Sequence, residues 1–360
     1  ATIFEYLIKD YNTNSGGKYA EYFTPHAVAK IMARCMVQGD VQNVTCYDPS
    51  AGSGTLLMNL AHAIGEDKCT IYSQDISQKS SNLLRLNLIL NDLVHSIPNI
   101  VKGNTILEPY HKEGGELRKF DYIVSNPPFK LDFSDYRDDL DSKENNDRFF
   151  AGIPKEPAKK KESMAIYLLF LQHIMHSLKA NGKAAMVVPT GFITAQSGID
   201  KKIRQKLIEE KMLAGVVSMP SNIFATTGTN VSVVFLDREN KGDVVLIDAS
   251  NLGETIKEDG NQRTVLTYEE EEKIIDTFNK KEAIDDFSVV VSYEEIAAKN
   301  YSLSAGQYFE VKIEYVDISQ DVFNRKIKDF ESNLTLLFDE SKKIEKEINL
   351  NINRIELNGI

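Results

Sequence analysis

Apolar residues recur along this chain with two periods, and the switching between them predicts the fold. Short runs rich in β-branched and aromatic residues at 44–47, 69–73, 121–125, 184–188, 216–219 and 231–236 read as strands, and 244–247 reads as another. Between them, apolar positions three and four apart predict helices. Leu56, Leu57, Leu60 and Ile64 share one face over 55–64, and further helices are expected over 1–12, 26–38, 80–90 and 164–178. Asn181-Gly182 predicts a turn into the strand from 184. Strands alternating with helices of this length predict an α/β fold, a doubly wound and mostly parallel sheet. Residues 130–163 break the pattern. They are rich in Asp, Lys, Asn and Pro, and a connection of that length without structure of its own is either disordered or functional.

The last fifty residues follow a narrower stripe. From Phe323 through Ile327, Phe330, Leu334 and Leu337 to Ile355, a seam advances in alternating steps of four and three, interrupted by Ser341 and Asn351. Lys, Glu, Asp and Asn fill the faces between. Such a stripe belongs to a coiled-coil helix, here roughly 60 Å long at 1.5 Å per residue. A lone helix cannot bury that seam, so a partner helix is expected.

Composition narrows the class. The chain has 360 residues, enough for a large α/β domain plus an extension, and is 42% apolar and 26% charged. No run approaches the length of a membrane span, and no signal segment opens the sequence. It starts with Ala1 and enters a helical pattern at once, so an upstream portion is expected to be missing. Three cysteines (Cys35, Cys46, Cys69) without CxxC spacing argue against a disulfide framework or zinc site and fit a reducing cytoplasm. His173 and His176, one helical turn apart, have no nearby carboxylate cluster to make them metal ligands, and a plain helix surface is expected. The net charge of −11 is unlike that of a protein that grips DNA alone, and suggests that another subunit holds most of any duplex.

Two stretches carry chemistry. Asp48-Pro-Ser-Ala-Gly-Ser-Gly54 lies between a strand and a helix. Its glycines let the backbone turn tightly against a ligand, and the new helix offers free N–H groups. Neither GxGxxG nor a GK[ST] ending occurs. Asp48 can meet a cationic amino-acid moiety, and Asp75, ending the next strand, is placed to reach a ribose diol. S-adenosylmethionine therefore fits better than NAD. A structural strand-to-helix turn is the plain alternative.

Asn126-Pro-Pro-Phe129 also ends a strand. Paired prolines force an extended backbone and leave carbonyls pointing outward. The Asn126 side-chain oxygen and the Pro127 carbonyl can then accept both hydrogens of one exocyclic amino group, drawing its lone pair out of conjugation. Phe129 offers a face for stacking. A rigid loop end is the alternative here.

The chain resembles the N6-adenine DNA methyltransferases, and more closely the modification (methylation) subunit of type I restriction-modification systems. The resemblance rests on Glu21-Tyr-Phe-Thr-Pro25, Asp48–Gly54, Asp75, Asn126–Phe129, Asp147-Arg-Phe-Phe150, Leu171-Gln-His173, Asn181-Gly-Lys-Ala-Ala185, Val188-Pro-Thr-Gly191, Gly228-Thr-Asn230 and Tyr301-Ser-Leu-Ser304. Cofactor residues precede the catalytic motif, the γ-type order.

The resemblance implies an S-adenosylmethionine-dependent methyltransferase sheet with a C-terminal coiled-coil helix. Residues 1–42 would hold N-terminal helices and a cofactor-closing loop, 43–310 the catalytic domain and 311–360 a docking helix. Glu21, Tyr22, Phe23, Thr24 and Pro25 would close over the cofactor. Asp48, Ser50, Ala51, Gly52 and Gly54 would line its cleft, with Asp75 on the ribose and Asn104 beside it. Asn126, Pro127, Pro128 and Phe129 would act on a flipped adenine, under the segment 130–163. The implied partners are DNA, a specificity subunit that reads it, a second methylation subunit and a restriction or translocase subunit. Two departures stand out: His26 where an arginine is frequent, and no N-terminal helical domain of the family's kind.

Three other readings compete. A self-sufficient adenine methyltransferase needs its own recognition domain, and about 55 residues after Gly306 leave no room for one. A protein glutamine methyltransferase usually has Tyr in place of Phe129 and no use for the tail. A catalytically dead scaffold would not need Asn126, Phe129 and Asp75 intact.

Overall fold

Alternation along the strands divides the core between two faces of one sheet. The computed structural model describes residues 24–224, 230–240, 242–258, 261–310 and 319–357, in two units, Ala1–Phe309 and Glu310–Ile360. In the first unit, α1 (His26–Met36), β1 (Val44–Asp48), α2 (Thr55–Ile64), β2 (Cys69–Asp75), α3 (Gln78–Leu90) and β3 (Ile100–Lys102) come first. Then follow β4 (Phe120–Ser125), α4 (Tyr167–Ser177), β5 (Leu178–Pro189), α5 (Gly198–Glu209), β6 (Leu213–Ser218), β7 (Val231–Asp237), β8 (Val244–Asp248), α6 (Tyr268–Lys280), β9 (Ser288–Val291) and α7 (Tyr293–Ala298). Along β5, Ala185 and Val187 face a core shared with Val28, Leu57, Leu84 and Ile275. Ala184, Met186 and Val188 face a second core with Leu169, Leu207 and Ile296. The result is helix, sheet, helix.

The strand order is β9-β8-β6-β7-β5-β4-β1-β2-β3. From β1 the chain builds outward through β2 and β3. It then crosses back to place β4 on the other side of β1, pairing parallel with Cys46 opposite Tyr122 and Tyr47 opposite Ile123. Strand order therefore reverses at the β1/β4 boundary, where ligands of doubly wound sheets bind beyond the strand ends. Strands β1 to β5 run parallel to one another, whereas β7 runs antiparallel between β5 and β6, and β9 is an antiparallel edge. The expected mostly parallel sheet is present.

Several local expectations need correction. The helix expected from 164 begins at Tyr167, because the Met164 carbonyl is already taken by the Leu131 and Ile166 amides at 3.1 and 2.9 Å. Asn181-Gly182 makes no turn. It lies inside β5, where the register against β4 jumps from Phe120–Leu178 to Tyr122–Lys183 and bulges the extra residues out. The segment 130–163 is not structureless. It folds as short helical turns pinned into the second core by Phe133, Leu140 and Phe149. The helix expected over 1–12 lies outside the described residues.

Among the described residues of the second unit, helix α8 (Gln320–Leu357) carries the seam. Leu334, Leu337, Ile344 and Ile348 are each half or more exposed, at 52, 61, 51 and 53%.

Gly54 joins loop to helix and packing. Its φ is +88°, and a Cβ there would stand 2.2 Å from Cδ1 of the fully buried Leu84 on α3. Gly52 has φ +52° but open space beside it. Gly52→Ala should cost about 1–2 kcal/mol, the left-handed backbone penalty alone. Gly54→Ala should cost roughly 2–5 kcal/mol, that penalty plus overpacking. Denaturant unfolding measures both, and equal losses would mean that Leu84 yields freely.

Candidate active site

The tip of β1 and the tip of β4 meet through hydroxyl groups. Asp48 Oδ1 accepts from the Ser50 amide at 2.9 Å, and Ser50 Oγ lies 2.7 Å from Ser125 Oγ, the residue before Asn126. One step along the sheet, Asp75 Oδ2 accepts from the Gly52 amide at 2.9 Å and its Oδ1 from the Ser77 amide at 2.8 Å, at the start of α3. Asp75 thus ties the glycine loop to the end of β2. Thr105 Oγ1 donates to the Pro49 carbonyl at 2.7 Å, joining the loop after β3 to the same cluster.

The sequence-expected residues fall into place unequally. Asp48, Ser50, Gly52, Gly54 and Asp75 gather at the ends of β1 and β2. Ala51 is buried with the first core, so its side chain is a packing element while its carbonyl accepts from Gly54 at 2.8 Å. Asn104 uses its oxygen on the Ile106 and Leu107 amides at 3.0 and 3.2 Å, holding the turn after β3. Asn126, Pro127, Pro128 and Phe129 leave β4 together. Pro127 is buried and the other three are half-buried. Phe129 packs against both cores, and its ring meets Tyr167 edge-on at 6.2 Å. Thr24 and Pro25 are buried, and Thr24 Oγ1 accepts from Asn126 Nδ2 at 3.1 Å. Glu21, Tyr22 and Phe23 lie outside the described residues.

A polar network beneath the site had no role in the sequence reading. His173 is not on a helix surface. It is buried, with Nδ1 taking a hydrogen bond from Arg148 Nε at 3.1 Å and Nε2 lying 3.2 Å from the Tyr47 hydroxyl. An arginine can only donate, so Nδ1 accepts and the ring proton sits on Nε2, facing Tyr47. Burial, reinforced by the Arg148 charge, holds the His173 pKa well down, and the ring stays neutral. Arg148 also donates to the Thr105 and Ile106 carbonyls at 2.7 and 2.8 Å. Burial lowers its pKa to about 10, so it remains a cation at neutral pH. Gln172 accepts from the Ala151 amide at 2.8 Å and donates to the Gly152 carbonyl at 3.0 Å. The signal was present in Asp147–Phe150 and Leu171–His173, but nothing in either stretch says that they bond each other. Likewise the Thr190 amide donates to the Asn230 carbonyl at 2.9 Å, and the Tyr301 carbonyl accepts from Arg204 at 2.8 Å. Gly228 and Thr229 lie outside the described residues.

Comparison with known proteins identifies a family. The family model described as N-6 DNA Methylase matches residues 1–316. The methylase subunit of the type I restriction enzyme MpnII from Mycoplasma pneumoniae is 29% identical over 99% of this chain and 65% of its own length. That of MjaIX from Methanocaldococcus jannaschii is 29% identical over 96% of this chain and 61% of its own. The crystal structure of a type I restriction-modification methyltransferase subunit from Streptococcus thermophilus superposes with a TM-score of 0.70 at 29% identity, covering 85% of this chain and 63% of that one. The chain thus spans somewhat under two thirds of these relatives.

Asp48 provides a test of the site's electrostatics. Burial pushes its carboxyl up to about 8, with Asp75 adding to the effect and the Ser50 and Ser125 hydrogen bonds opposing it. An unfolded aspartate titrates near about 3.9. Between about 4 and 8 the folded chain therefore keeps a proton that the unfolded chain has lost. That stability is complete below about 4 and disappears as pH rises through about 8. Asp48→Asn should remove this dependence, so the melting temperature of the variant relative to the parent should climb from about pH 5 to about pH 8. A flat difference would mean that Asp48 is ionised throughout.

Proposed function

This chain belongs to the N-6 DNA Methylase family, and on that premise we propose that it is the methylation subunit of a type I restriction-modification complex. Its reaction would be methyl transfer from S-adenosylmethionine to the N6 of a flipped adenine. The observation that carries this reading is the Ser50–Ser125 contact, which holds the glycine loop after β1 against the strand end bearing Asn126.

The site's residues fit the cofactor. Gly52 faces open space where any side chain would intrude, and two acidic residues end neighbouring strands. In this reading Asp75 holds the ribose diol and Asp48 answers the amino-acid end, within the cleft of Ser50, Ala51, Gly52 and Gly54 and beside Asn104. Pro25 closes over that end, while the Thr24 hydroxyl is engaged with Asn126. When bound, S-adenosylmethionine supplies an electrophilic methyl group. The chain's own work is on the acceptor. Asn126 Oδ1 and the Pro127 carbonyl accept the two amine hydrogens of adenine, which localises the lone pair on nitrogen. Phe129, steadied by Tyr167, stacks on the base, and Pro128 keeps the backbone extended.

The duplex would be held mainly by a specificity subunit, since the chain's charge of −11 opposes unaided binding. The uncovered seam of α8 would pack on long helices of that subunit. A second methylation subunit and a restriction or translocase subunit would complete the assembly in the cytoplasm. Among the described residues no helix is long and apolar enough to cross a membrane.

In the reconstituted complex, Asn126→Ala should reduce methylation on the order of 10²–10³-fold by removing a transition-state acceptor. Phe129→Ala should cost about 1–3 kcal/mol of stacking, with cofactor affinity kept in both. Near-normal turnover by Asn126→Ala would sink the adenine clamp. Replacing Leu334 and Leu337 with Asp should leave cofactor binding intact and end both co-purification with the DNA-reading subunit and site-specific methylation. If that double variant still assembles and methylates, α8 is not the docking element.

A further inference from the structure

Asn126 has two different ends, and only one suits the clamp. A primary amide has an acceptor oxygen and a donor nitrogen. With Oδ1 toward an exocyclic amine the clamp accepts a hydrogen. With the amide turned over, Nδ2 would face that amine donor to donor. Nothing in β4 itself decides between the two orientations, because a rotation about the last side-chain bond interchanges them at the same shape.

In this structure Nδ2 is the end that is taken up, by a residue from 102 positions earlier in the chain. Thr24 Oγ1 takes a hydrogen bond from Asn126 Nδ2 at 3.1 Å. Thr24 is 6% exposed, so water is a poor substitute for its hydroxyl. Its position is stiff. The following proline keeps Thr24 out of the helical region, Pro25 itself stands at φ −56° and ψ 138°, and its carbonyl accepts from the Ala29 amide at 3.1 Å. Helix α1 is in turn fastened to the first core by Val28, Ile31 and Met32 and to α6 by the Lys30–Glu271 ion pair at 2.8 Å.

We infer that Thr24 is a positioning residue that anchors the Asn126 side chain, its hydroxyl holding Nδ2 toward the segment before α1 so that Oδ1 is left for the amine of the substrate. The inference rests on the adenine-clamp reading above. It also changes the part given to Thr24 by its motif, from cofactor contact to alignment of the clamp. The hydroxyl touches neither reacting atom and acts only through Asn126.

The test compares Thr24→Val, which keeps the shape and deletes the acceptor, with Thr24→Ser, which keeps the hydroxyl. The full chain is assayed in its complex on DNA bearing target sites, and calorimetry with S-adenosylmethionine reports cofactor affinity and folding. Thr24→Val should lower kcat roughly tenfold, the scale of one hydrogen bond. KM for DNA and cofactor affinity should hold within about twofold, a split that loss of structure would not produce. Thr24→Ser should restore most of the rate. A parental kcat in Thr24→Val overturns the inference, as does Thr24→Ser failing equally. Cofactor affinity falling in step with kcat would return Thr24 to the cofactor wall and also overturn it. If Asn126→Ala abolishes methylation while Thr24→Val keeps the parental rate, this inference fails alone. If Asn126→Ala leaves methylation intact, the clamp reading fails first.

Discussion

The parallel pairing of β1 with β4 is the constraint on which the site depends. These strands are more than seventy residues apart in sequence, and β2 and β3 are laid down between them. Because they pair parallel, both end at the same edge of the sheet. Because the strand order reverses between them, no crossover helix covers the gap at that edge. Two loops that are unremarkable alone are thereby brought into hydrogen-bonding reach. The Ser50–Ser125 contact, the Thr105–Pro49 bond and the Thr24–Asn126 bond all depend on that pairing.

The polar groups under these loops make the arrangement stiff. Asp48 and Arg148 are both buried, and each is held by hydrogen bonds to serines, carbonyls or a histidine ring. A buried cation or carboxyl is costly unless its bonding is complete, so such networks tolerate little displacement. Arg148 reaches the two carbonyls after Asn104, and His173 links it to Tyr47 in β1. The segment that follows the Asn126 strand end is thus bound back to β1 and to the loop after β3.

The second unit has a different physical character. Its helix has no core of its own, and its seam residues are exposed along most of their length. Exposed apolar side chains at four- and three-residue steps have no role in a solitary helix, whereas they are what a partner helix buries.

Much of the fold was legible in the chain because it is written in local periods. Leu56, Leu57, Leu60 and Ile64 fell on the buried face of α2, and the strands at 44, 69, 120 and 231 began within a residue of their expected starts. Asp48–Gly54, Asp75 and Asn126–Phe129 were likewise visible as strand ends with unusual residues. Four features were decided only by the tertiary structure: the antiparallel insertion of β7, the bulge at Asn181-Gly182, the ordering of 130–163 and the burial of His173. Each depends on a partner distant in sequence: β5 and β6 for β7, Phe120 for the bulge, Met164 for Leu131, Arg148 for His173. Periodicity reports which face of an element is apolar. It carries no record of which distant donor will meet which acceptor, and the hydroxyl of Thr24 on the amide of Asn126 exists only once the sheet has closed.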